Sequence, residues 1–84
     1  MRVEMDLRNI PLHRIQEYLI EAGGELVRDR FAKGDQWTAT LKEMEPIQLG
    51  VMKIYRDLLI IEGDEKQVET VYALLRQRTM RGGG

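Results

Sequence analysis

The sequence predicts an α+β fold in the order β-α-β-β-β-β-α: a mostly antiparallel five-stranded sheet with both helices on one face. Three observations carry this. Ile47 to Glu62 (IQLGVMKIYRDLLIIE) holds two apolar runs whose β-branched and aromatic residues suit a pleated surface. Arg2 to Arg8 alternates strictly, with Val3, Met5 and Leu7 between charged residues, as in a strand with one wet side. Two further segments repeat apolar residues at spacings of three and four, the period of a helix face. Two such helices need one sheet face to cover them.

The elements follow in order. After the first strand, Pro11 opens a helix to Ala22, since its missing N–H would lack a partner there anyway. Leu12, Ile15, Leu19 and Ala22 form its stripe, and Gly23-Gly24 stops it. Glu25 to Ala32 and Gln36 to Glu43 read as a hairpin joined by Lys33-Gly34-Asp35. Asp29 shares a face with Val27 and Phe31, so it is expected near an edge or an arginine. Glu43-Met44-Glu45-Pro46 is a polar break, with Pro46 at a strand start. A second hairpin pairs Ile47–Tyr55 with Leu58–Glu62 through Arg56-Asp57, and Gly50 is a candidate bulge. Asp64 caps the second helix, with Gln67 at capping-box spacing. Val68, Val71, Tyr72 and Leu75 form its stripe. Residues 1–81 make one domain, and 82–84 a flexible glycine tail. The expected core is Val3, Met5, Leu7, Leu12, Ile15, Leu19, Trp37, Ala39, Leu41, Val68, Val71 and Leu75.

Composition narrows the function. A chain of 84 residues has a small core, so a substrate cavity would be shallow or shared. With 13 basic and 14 acidic residues, the net charge of -1 argues against a dedicated nucleic-acid binder. The absence of cysteine excludes disulfides, thiolate metal sites and thiol chemistry. The absence of serine removes the Ser-His-Asp arrangement. No apolar run is long enough to span a membrane, and no signal peptide is evident, so the chain reads as cytoplasmic.

The element order, the opening VEMDLRNIPLHRIQEYL and the hairpin GVMKIYRDLLIIEG carry a resemblance over nearly the whole chain. The order is similar to that of the TATA-box-binding-protein-like fold. The chain also resembles the small domain found C-terminal to certain bacterial relatives of the molybdopterin-synthase small subunit. The resemblance implies a fold and a link to molybdenum-cofactor or sulfur-carrier biology, and carries over no functional residue. The terminal glycines are similar to the diglycine end of ubiquitin-like sulfur carriers. Those tails follow a β-grasp fold, whereas this one follows a helix.

No residue set reads as catalytic, and no metal or cofactor is expected. His13 is the single histidine, one step off an apolar stripe, and reads as solvated or helix-packing. Glu43 and Glu45 sit at the expected proline turn, and Glu62, Asp64 and Glu65 sit at a helix start, where capping and solvation explain them. Arg28, Arg30 and Lys42 with Thr38 and Thr40 are the most suggestive polar set. On paired strands they would share one sheet face, giving cationic forks beside hydroxyls that suit a small anion. A solvated, salt-bridged face is the alternative. Nucleic acid is disfavoured, because Trp37 and Phe31 are expected on the core side.

The apolar hairpin points instead to association. Leu58 and Ile60 face one side and Leu59 and Ile61 the other, while two helices cover only one. Met52, Ile54, Leu59 and Ile61 are therefore the candidate interface. The expected occupant is a second copy or another protein; a twisted hairpin covered by the chain's own ends is the competing arrangement. The reading from sequence is thus a non-enzymatic binding or accessory module, with a regulatory anion binder as the alternative.

Overall fold

The computed structural model describes residues 1–82. Its elements follow the expected order: β1 (Arg2–Arg8), α1 (Leu12–Glu21), β2 (Glu25–Arg28), β3 (Phe31–Gly34), β4 (Trp37–Leu49), β5 (Met52–Gly63) and α2 (Glu65–Gly82). The strands form one sheet in the order β1-β5-β4-β3-β2. Every neighbouring pair is antiparallel.

The helix ends show local chemistry. Pro11 is the N-cap of α1 rather than its first residue, in extended conformation, and its carbonyl accepts from the N–H groups of Arg14 and Ile15. At the other end Gly23 has φ 97°. The N–H groups of Gly24 and Gly23 close on the carbonyls of Leu19 and Ile20, which is the Schellman arrangement. Asp64 caps α2 as expected: its Oδ2 accepts from the Gln67 N–H at 3.2 Å. Since α2 continues to Gly82, that residue belongs to the helix rather than to the expected tail. Gly83 and Gly84, the rest of that expected tail, lie outside the described residues.

The core lies between the sheet and both helices. Nine of the twelve expected core residues are buried there, and Val3, Met5 and Leu12 pack against them half-buried. Ala32, Leu59 and Ile61 complete it. The indole of Trp37 lies so close over Gly24 and Gly34 that a methyl group at either would overlap it. The helices are tied at the surface by Arg78, whose Nε donates to both oxygens of Glu21 at 3.0 and 2.7 Å. That bond holds the Glu21 carboxyl below its ordinary range and raises the Arg78 guanidinium.

The strand boundaries depart from expectation. The turn of the central hairpin is Gly50-Val51, not Arg56-Asp57. Gly50 has φ 60° and sits in that turn rather than in a bulge. Arg56 and Asp57 lie inside β5, opposite Arg8 and Leu7 of β1. The expected break at Glu43–Pro46 lies inside β4. Met44 pairs with Arg56 and Ile47 with Ile54, so Glu45 and Pro46 together oppose Tyr55. This is a β-bulge, one of the few places in a strand where proline is tolerated. The expected strand Glu25–Ala32 is two strands, broken at Asp29-Arg30, and the next turn is Asp35-Gln36 with Gln36 at φ 63°.

Both long strands outrun their neighbours. β1 ends at the Arg8–Arg56 pair and β3 at the Phe31–Thr40 pair. One further backbone bond, Asn9 N–H to the Tyr55 carbonyl, closes that side. Residues 45–54 therefore project as a two-stranded arm. The radius of gyration is 12.8 Å, against roughly 11.8 Å for a compact chain of this length. The longest dimension is 42 Å.

Candidate partner-docking face

Register fixes which residues share the face away from the helices. Trp37, Ala39 and Leu41 of β4 and Leu59 and Ile61 of β5 are buried under the helices. Their alternates therefore face the other way. Across the sheet these form rows: Thr40–Ile60–Glu4, then Lys42–Leu58–Asp6, then Met44–Arg56–Arg8. The arm adds Ile47–Ile54 and Leu49–Met52.

The bulge decides the composition of this face. In an unbroken β4, Ile47 and Leu49 would keep the parity of Trp37, Ala39 and Leu41 and point to the helix side. The extra residue at Glu45-Pro46 reverses that parity. Ile47 and Leu49 thus line up with Met44, Met52, Ile54, Leu58 and Ile60 on the open face. Ile60 is 7% exposed although it lies outside the core cluster, so side chains of its own face cover it. Toward the tip that cover fails. Leu49 and Met52 are exposed by more than half, and Val51 in the turn is fully exposed.

The proposed interface residues divide. Met52 and Ile54 lie on the arm, exposed and half-buried. Leu59 and Ile61 do not belong to an interface: both are 0% exposed, in the core. Their parity matches the buried residues of β4, which the sequence could not reveal without the register. Leu58 and Ile60 take their place on the open face.

The proposed anion set divides as well. Thr38, Thr40 and Lys42 are open-face positions of β4, and Arg28 joins them through its pairing with Phe31. Phe31 is therefore on the open face too, not in the core as expected. Arg30 is on the other side. Its carbonyl accepts from the Leu41 N–H, so it sits beside a helix-facing residue. Its guanidinium donates to Asp57 Oδ1 at 2.7 Å, with the Asp57 side chain 14% exposed. Together they line a hollow of about 390 Å³ with Asn9, Glu43 and Tyr55. Asp29, expected near an edge or an arginine, is in the edge turn beside Arg30.

The acids of the open face are largely paired. Arg2 bridges Glu4 at 3.0 Å and Glu62 at 3.4 Å, and Arg8 bridges Asp6 at 3.3 Å. Arg56 differs. It is half-buried, and its Nε is shut off from solvent with no hydrogen-bond partner among the described residues. Sequence reading missed Arg56 by assigning it to a turn; the signal was Pro46, which marks a bulge once the strand is allowed to continue through it.

A family model for archaeal MoaD-like proteins matches residues 3–84. The chain belongs to that family. No curated protein matches it. In this archaeal MoaD-like protein, the described residues hold no group of three metal-ligating side chains. His13 is exposed on α1. Among the described residues no helix is long and apolar enough to cross a membrane. The surface that stands out in this archaeal MoaD-like chain is the open sheet face with its arm.

Proposed function

We propose that this archaeal MoaD-like protein is a non-catalytic accessory module that binds a partner protein on its open sheet face. The family supports a link to sulfur-carrier or molybdenum-cofactor biology. The resemblance to a domain appended to small-subunit relatives agrees with an accessory role, in the cytoplasm. The observation that carries the docking reading is the bulge at Glu45-Pro46. It adds Ile47 and Leu49 to the stripe of Met44, Met52, Ile54, Leu58 and Ile60 while both helices occupy the opposite face. Large apolar groups left in water forgo burial, and a contiguous stripe of them is the usual mark of an interaction surface. The anion-binding alternative loses one of its two arginines, because Arg30 is on the far side and engaged with Asp57.

The test is genetic and biophysical. Deleting the gene is expected to lower the molybdopterin content of cells. A chromosomal Ile54→Asp, Leu58→Asp variant that stays folded by circular dichroism is expected to reproduce the deletion. Unchanged molybdopterin in the deletion strain overturns the pathway link. A folded double variant with full function overturns the docking face. Sedimentation equilibrium on the purified chain reads self-association directly.

A further inference from the structure

We infer that the open face takes an extended protein segment that carries a carboxylate between two apolar side chains, and that Arg56 receives the carboxylate. This rests on the docking reading above and names the chemistry of the partner. Arg56 sits in the middle of the stripe: Ile54 and Leu58 flank it along β5, Met44 lies opposite on β4 and Arg8 opposite on β1. Its Nε is shut off from solvent and donates to nothing among the described residues. A buried donor without an acceptor is uncommon in a folded protein. Two arginines directly across a strand pair also repel. Arg8 is drawn off toward Asp6, and Arg56, like Arg28 and Lys42 on this face, has no carboxylate within bridging distance among the described residues; of the three, Arg56 is the one with a donor shut off from solvent.

The chain's own open-face acids are engaged by other arginines, including Asp6, the diagonal neighbour of Arg56. Glu4 and Glu62 are held by Arg2 and Asp6 by Arg8. Glu62 lies three same-face positions along β5 from Arg56, roughly 20 Å away. The acceptor is therefore expected from another molecule. A planar guanidinium with apolar residues at three of its four neighbouring positions suits a central binding residue, and it favours a carboxylate held through two parallel bonds. Spacing sets the rest of the motif. Ile54, Arg56 and Leu58 recur every second residue, as do side chains on one face of an extended strand. The matching segment reads apolar-x-acid-x-apolar.

The probe is the peptide acetyl-Leu-Thr-Glu-Thr-Leu-amide, set against its Glu→Gln counterpart and inorganic phosphate. Each is titrated into the ¹⁵N-labelled chain by NMR, observing backbone amides and the Arg56 Nε–H. The acidic peptide is expected to move the Arg56 Nε–H and the amides of Ile54 and Leu58. It should bind at least about fivefold more tightly than the glutamine peptide, as a charge-assisted bond requires. Arg56→Gln should make the two peptides equal, and Arg56→Lys should retain part of the preference. Equal binding of both peptides to the native chain, or an unmoved Arg56 signal, overturns the inference. So does phosphate matching the acidic peptide at equal concentration, which would make Arg56 a plain anion site. A dimer in sedimentation that Arg56→Gln dissociates would make a second copy the occupant and also overturn it. Leu58→Asp separates the two readings. If it abolishes binding of both peptides while they bind the native chain equally, the docking face stands and the carboxylate site fails. If it changes nothing while Arg56 still discriminates, the docking face fails.

Discussion

The two halves of the β4–β5 hairpin share one hydrogen-bonded ladder and differ in nearly everything else. In the inner half, Trp37, Ala39, Leu41, Leu59 and Ile61 are buried, with helices on one side and neighbouring strands on both edges. In the outer half, residues 45–54 have neither helix nor neighbouring strand, and their apolar side chains are half-buried or exposed. The same residue types do two jobs. Where they meet α1 and α2 they hold the fold together. Where they meet water they add little to stability and are available to another molecule. The Glu45-Pro46 bulge marks the boundary.

That division is most exposed to alanine scanning. Leu59→Ala and Ile61→Ala are expected to cost about 2–5 kcal/mol in denaturant melts, as cavity-forming core truncations do. Leu49→Ala and Met52→Ala should stay within about 0.5 kcal/mol, as surface changes do. Ile60→Ala should fall between, since side chains of its own face shield it but no helix does. An arm substitution that costs as much as Leu59→Ala would erase the distinction.

The junction of the halves gives a smaller effect. Asp57→Ala removes the acceptor of the 2.7 Å bond from Arg30, which ties the β2–β3 turn to the root of the arm. Arg30 is 36% exposed, so solvent screening discounts the pair. The expected loss is about 1 kcal/mol, read with Arg30→Gln in a double-mutant cycle. A coupling energy indistinguishable from zero would show that the turn needs no such tie.

How far the sequence reveals this division depends on the element. Helix periodicity placed Ile15, Leu19, Val68, Val71 and Leu75 in the core without any knowledge of partners. Alternation did the same for β1. The long strands were harder, because parity within a strand says nothing about which parity is buried. Leu59 and Ile61 looked like interface candidates, and Leu58 and Ile60 looked equivalent to them, until pairing with Leu41 and Ala39 decided it. Arg56-Asp57 looked like a turn because both residues are polar, yet β1 gives each a cross-strand neighbour. Arg30 looked like a neighbour of Arg28, and a two-residue turn carried it to the other side. The docking face was legible as an excess of apolar residues, but its membership was set by one inserted residue.

The smallest effect lies far from the arm. The Arg78 bond lowers the Glu21 carboxyl, so its contribution is full at neutral pH and fades as pH falls through that lowered value. The pair lies at the surface, with Glu21 exposed and Arg78 half-buried, so the effect should be slight. Melting temperatures at pH 7 and pH 3 for the native chain and Glu21→Gln should show a slightly larger acid-induced drop in the native chain. Parallel drops would mean that the link between the helices is merely geometric.

The strand order sets a timetable for synthesis. β1 is the first strand to leave the ribosome, yet its sole partner in the sheet is β5, and Arg2 is matched to Glu62. Contacts this distant in sequence form late, because a long loop must close first. Val3, Met5 and Leu7 therefore wait unshielded while most of the chain is made. β2, β3 and β4 can zip up as local hairpins in the meantime, but α1 lacks its neighbour α2, the helix that packs on β5 and β1. At about 5–20 residues per second the wait lasts several seconds. A nascent chain stalled before β5 would expose an unpaired strand with one apolar face.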